Sequence, residues 1–107
     1  MLVIVCFVPL SHADAVRAAL AGAGAGAMGA YTACSFSSSG EGRFRPEAGS
    51  TPFVGAEGQI SVVDEVRVEC VCPRELARAA LEAMIAAHPY EEPAYHCYEA
   101  LTLADLG

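Results

Sequence analysis

The chain opens on eight apolar residues, MLVIVCFV (1–8), with no polar position among them. A run without alternation predicts a strand covered on both faces or central in a sheet. The period then changes. In PLSHADAVRAALAGAG (9–24), Val16, Leu20 and Ala23 recur at helical spacing and predict a helix that turns this stripe to the sheet. Ser11, with Asp14 three residues later, reads as a short-armed capping box, and Gly22 and Gly24 end the helix. YTACSFSSS (31–39) has the aromatic and threonine character of a second strand. From Gly40 to Gly58 periodicity disappears while glycine and proline accumulate, which predicts a long connection at about 38–58. In a compact domain such a length usually serves function.

Regular patterning resumes in QISVVDEVRVECVC (59–72). Val66, Val68, Cys70 and Cys72 alternate with Glu65, Arg67 and Glu69, as in a strand with one solvated face. PRELARAALEAMIAAH (73–88) predicts the second helix, with Pro73 at its first position and Glu75 in its first turn. Ala77, Ala80, Leu81, Met84 and Ile85 form its buried stripe. His88 falls in the last turn, where its charged form would complement the helix dipole, and Pro89 stops the helix. PAYHCYEALTL (93–103) is the last strand. The order β-α-β-β-α-β predicts a single α+β domain over 1–107, a ferredoxin-like sandwich with an antiparallel sheet and two helices on one face. Nothing in the chain covers the other sheet face, so a partner subunit is expected there.

Composition narrows the function classes. The formal net charge is −7 and all six basic residues are arginines, so no basic stripe exists to neutralise the phosphates of a nucleic acid. Hydrophobic residues make up 54% of the chain, which argues for a folded protein. The apolar opening is too short to span a bilayer and lacks the preceding basic residue of a signal peptide, so a cytoplasmic protein is expected, without a membrane partner. Five cysteines form an odd set. Cys6, Cys70 and Cys97 fall in strand-like runs and read as buried reduced thiols, and Cys70-x-Cys72 lacks a second ligand pair at zinc spacing.

Three places hold candidate chemistry. In HPYEEPAYH (88–96), Pro89 and Pro93 fix the turn into the last strand, and Tyr90 and Tyr95 can bury rings while their hydroxyls find partners. Glu91 and Glu92 cannot both point one way in an extended segment, so a paired-carboxylate device is disfavoured against capping or an ion pair with a neighbouring subunit. A metal reading joins His88, Glu91 (or Glu92) and His96, with Cys34 or His12 from elsewhere, and suits zinc or copper. Cys34, beside the long loop, is a nucleophile only if a base reaches it; otherwise it is a small packed residue. In SSSGEGRFRPEAG (37–49), Ser37, Arg43 and Arg45 could cradle an anion with Phe44 plugging a cleft. The alternative there is a solvated hairpin tip whose arginines pair with Glu41 and Glu47. The glycine-rich AGAGAGAMGA (21–30) follows a helix and precedes a strand, so it is not a phosphate loop.

The stretch AGAGAMGAYTACSFSSSGEGRFRPEAGSTPFVG, together with HPYEEPAYHCYEAL, resembles the PII/CutA-like domain of the Nif-three family, and HPYEEPAY also resembles a motif of CutA proteins. The resemblance runs over nearly the whole chain. It implies a ferredoxin-like fold assembling as a homotrimer, with ligands bound at clefts between subunits under the 38–58 loop. The dinuclear metal centre of larger family members lies in flanking halves that this sequence does not contain, so the resemblance implies no metallohydrolase activity. Where the ordinary pattern has an acid after the last alanine-tyrosine pair, this chain has His96. The reading that follows is a binding or regulatory protein holding a small ligand or a divalent metal ion through Cys34, Ser37, Arg43, Phe44, Arg45, Tyr90, Glu91 and Glu92. A structural module that oligomerises or docks a partner comes second, and a metal-dependent hydrolase using Cys34 or the histidines last.

Overall fold

The computed structural model describes residues 1–107. Four strands, β1 (Leu2–Pro9), β2 (Phe36–Phe44), β3 (Ser61–Cys72) and β4 (Tyr95–Glu99), form one sheet in the order β2-β3-β1-β4, every neighbouring pair antiparallel. Two helices, α1 (Ala13–Gly22) and α2 (Arg74–Ala87), connect the strands that are not neighbours and pack on one face. This is the ferredoxin-like arrangement that the element order predicts.

Strand alternation sets the core. Leu2, Ile4, Cys6 and Val8 of β1 and Val66, Val68, Cys70 and Cys72 of β3 turn inward and meet Val16, Leu20, Ala77, Ala80 and Met84 of the helices. On the other face of β1, Val5 has no exposed surface although it points away from the helices, while Val3 and Phe7 on the same face are partly exposed. The residues flanking Val5 there, Glu69 and His96, stand opposite it on the two neighbouring strands.

Several boundaries differ from the sequence pattern. A short 3-10 turn (Leu10–His12) precedes α1, and the Ser11 hydroxyl bonds to Nδ1 of His12 at 2.8 Å instead of capping the helix. The second strand begins at Phe36, five residues later than its aromatic character suggested, because the chain before it is held in a turn. Gly26 donates its N–H to the Val71 carbonyl (2.7 Å) and accepts from Cys34 N–H (2.9 Å) at φ +85°. A Cβ at Gly26 would run into the backbone of Cys34. Ala33 adopts a left-handed conformation (φ 58°), which also interrupts an extended run.

At its far end β2 continues through Gly40, Glu41, Gly42 and Arg43 to Phe44, paired residue for residue with Ser61–Glu69 of β3. The connection expected over 38–58 is therefore residues 45–60. Two glycines do not end a strand whose partner supplies a complete ladder. In α2 the stripe of Ala77, Ala80 and Met84 is buried and Leu81 packs against it, but Ile85 is 38% exposed. Strand β4 is only five residues long and exposed along its length, so Cys97, expected to be buried, is exposed. The reason is position: β4 is an edge strand that α2 does not reach across.

Candidate functional site

The 45–60 connection is closed at its base by a Gly58 N–H to Pro46 carbonyl hydrogen bond (2.8 Å). It folds over the end of the sheet and meets the 89–94 turn, where Thr51 N–H donates to the Glu91 carboxylate at 2.8 Å. Rings fill the seam. Phe53 of the connection lies edge-on to His12 (centroids 5.5 Å) and tilted against Tyr90 (6.3 Å), and Phe44 at the end of β2 lies 5.8 Å from the same Tyr90 ring. Between them is a cleft of about 280 Å³, whose floor includes Phe7 and Glu65.

Tyr90 is fixed from two sides. Its hydroxyl donates to Oε2 of Glu65 at 2.8 Å, and its backbone N–H donates to Nδ1 of His88 at 3.1 Å. Burial, then the hydrogen bond and charge of Glu65, hold the phenol well above its usual range, so it remains a neutral donor. Glu65 lies over Gly42, where a Cβ would press into its carboxylate.

His88 departs from its expected role. It lies just beyond α2, buried, with Nε2 2.7 Å from the Phe7 carbonyl oxygen. Because Nδ1 accepts from Tyr90, Nε2 carries the proton and donates to that carbonyl. Burial lowers its pKa; the Phe7 bond and Glu65 oppose that shift, and His12 adds to it. The charged, dipole-complementing histidine expected at the helix end is therefore a neutral residue that links β1 to the turn. Burial at this position outweighs the groups that would favour the charged form.

Both ring nitrogens of His88 are thus occupied, whereas His96 is an exposed residue of β4 stacked on Tyr98 (6.4 Å, 29°). Nowhere does the fold gather three histidine, cysteine or carboxylate groups into a metal-holding set, so His88, Glu91 and His96 are not assembled as one. Within one chain these three residues do not form a donor set for a divalent ion.

The remaining candidates separate into different places. Phe44, Arg43, Tyr90, Glu91 and Glu92 line the cleft. Ser37 instead faces α1 and accepts from Arg17 at 3.0 Å, which joins β2 to the helix that also holds the Arg17–Asp14 pair. Arg43 lies 3.8 Å from Glu41 and Arg45 is exposed. Ser37 and the two arginines therefore do not converge as an anion cradle, because strand pairing extends the segment that would have to curl. Cys34 is half-buried beside a shallow groove lined by Phe36, Val71 and Tyr98, with no histidine among the lining residues. Cys6 and Cys70, stacked in the core, have thiols pushed up to about 11 by burial, and burial also raises Cys72. These are protonated packing groups.

Sequence reasoning did not find Phe7, Phe53 and Glu65. Phe53 carried a faint signal as a large apolar residue inside a polar connection. Glu65 carried none, since it looked like any acid on a solvated strand face.

No family model matches the chain. A GTP cyclohydrolase 1 type 2 homolog of Halalkalibacterium halodurans is 46% identical over 110 residues, an alignment covering 97% of this chain and 30% of that protein. The crystal structure of a Bacillus cereus protein related to NIF3 superposes with a TM-score of 0.78 at 47% identity, over 91% of this chain and 24% of that one. The PII-like protein CutA from Nostoc superposes with a TM-score of 0.66 over 94% of this chain and 81% of that one, and at 15% identity shares the fold alone. The chain spans less than a third of the length of the NIF3-related proteins it matches.

Proposed function

The chain is a PII/CutA-like domain of the NIF3-related family, and on that premise we propose that it is a self-associating binding or regulatory domain holding a small ligand in the cleft under residues 45–60. The observation that carries this reading is the cleft itself. Three separate segments, β2, the 45–60 connection and the 89–94 turn, each contribute a ring to it, and the Thr51–Glu91 hydrogen bond latches two of them together. A long connection folded onto an apolar cleft with a few placed polar groups is the ordinary construction of a small-molecule site. Loop and ligand would then order one another.

Self-association, with a trimer as the expected assembly, is supported by the uncovered sheet face. Phe36, Tyr98 and Met28 are each about half exposed there, around a groove that also contains Val3 and Val71. An apolar sheet face without a helix needs a second layer. The relative's cyclohydrolase-homologue name belongs to a protein more than three times as long, and we propose no reaction for this chain.

Native mass spectrometry of the untagged protein tests both parts. The expected result is a trimer carrying a small added mass, lost in Phe53→Ala. A bare trimer would favour a purely structural module, and a monomer would remove the self-association on which the regulatory reading rests.

A further inference from the structure

The chemistry of the cleft walls selects among ligands, given that a ligand occupies it. Phe44, Phe53 and Tyr90 present aromatic surface, beside Phe7, whose ring already lies under the Arg67 guanidinium (5.7 Å), while the polar lining is dominated by Glu65, Glu91 and Glu92. We infer that the cleft takes a small organic cation: an ammonium or guanidinium group joined to a flat or apolar body.

The carboxylates are not used up by the fold. Glu65 commits Oε2 to Tyr90, and Glu91 commits Oε2 to the Thr51 amide, leaving one oxygen of each. Glu92 is exposed and takes part in no hydrogen bond or ion pair within the chain. The only cationic lining residue, Arg43, stands near Glu41 and turns most of its side chain to solvent. An anion entering the cleft would face three carboxylates in a chain of net charge −7.

A bare metal ion is disfavoured for a different reason. It needs several oxygen or nitrogen ligands at short range, and this lining offers rings between its carboxylates. Aromatic faces instead stabilise a diffuse cation and stack on the body that carries it. Tyr90 contributes such a face, its ring held in place by the hydroxyl's hydrogen bond to Glu65. The cleft, at about 280 Å³, lies just below the roughly 300–1,000 Å³ range of drug-sized pockets, so the ligand is a small amine.

Three isosteric probes separate this inference from the broader one. Phenethylamine, 2-phenylethanol and phenylacetate share a ring and differ in charge, and each is titrated into the 15N-labelled full chain by NMR. The expected result is saturable phenethylamine binding, with shifts confined to residues 42–54 and 88–94 and to the neighbourhoods of Phe7 and Glu65. Binding should weaken about tenfold for 2-phenylethanol, and phenylacetate should give no saturable response. Glu92→Gln and Glu65→Gln should each weaken phenethylamine severalfold; Glu65→Gln retains an acceptor for the Tyr90 hydroxyl, and Glu92 is exposed, so both variants fold. Phenylacetate binding the same residues as tightly would overturn the cation class and leave the ligand cleft standing. Phenethylamine binding unchanged in both variants would also overturn the inference. Saturation by none of the three would overturn the inference and the proposed ligand cleft together.

Discussion

Replacing His88 by glutamine tests the packing logic of the site more sharply than any change in the cleft. Glutamine can place an amide N–H where Nε2 meets the Phe7 carbonyl, but its own carbonyl oxygen is then on Cδ and not at the Nδ1 position beside Cγ, so it leaves the Tyr90 N–H without its acceptor. One backbone donor at the edge of the core then loses its partner, at a cost of about 1–3 kcal/mol. The pH dependence is the more discriminating signal. Burial depresses the folded-state pKa of His88 below the unfolded value near 6.5, so below about that pH the unfolded chain binds more protons than the folded one. Stability from the neutral histidine is present in full above the unfolded value. It declines as pH falls towards the folded value, with a limiting slope of about 1.4 kcal/mol per pH unit. The assay is urea denaturation of the wild type and His88→Gln at intervals from pH 7.5 to 5. The difference between the two stabilities should be level above pH 7 and shrink on acidification, since the variant has no imidazole to titrate. A difference that stays level throughout, or grows towards acid, would refute the neutral, doubly bonded histidine.

Two further outcomes follow from the packing. Gly26→Ala places a Cβ against the Cys34 backbone at a left-handed φ, so the turn must shift; a loss of about 2–4 kcal/mol is expected, read as a fall in thermal midpoint of roughly 10 °C or more. Of the five thiols, Cys34 and Cys97 should react with a disulfide reagent at pH 8 in the native protein, while Cys6, Cys70 and Cys72 react only after unfolding. Mass mapping of the labelled peptides distinguishes the two sets.

The elements were largely legible because their hydrophobic periods are strong. The alternation of β3 and the stripe of α2 define a buried face without reference to anything else in the chain. Places where local and tertiary preferences compete were less legible. Nothing in SSSGEGRF favours a strand by itself, yet β3 offers it eight successive partners, and the ladder decides. Cys97 alternates like a core residue, but it stands on an edge strand, and burial there depends on how far a helix extends.

The site shows the same division. HPYEEPAY was legible as a specialised turn, and Phe44, Tyr90, Glu91 and Glu92 do reach one cleft. The presence of Phe7 and Glu65 in that cleft was not legible, because they come from strands 25 to 83 positions distant from Tyr90. The sequence by itself determined the order of elements, the inward face of each strand and the residues that stop α2. These properties depend on contacts a few positions apart. Only the tertiary structure decided which ring nitrogens of His88 are occupied, where β2 ends, and that four rings and three carboxylates share one small volume. Those outcomes depend on which distant segments the sheet and the 45–60 connection bring within a few ångströms, and the periodicity of one segment carries no record of that.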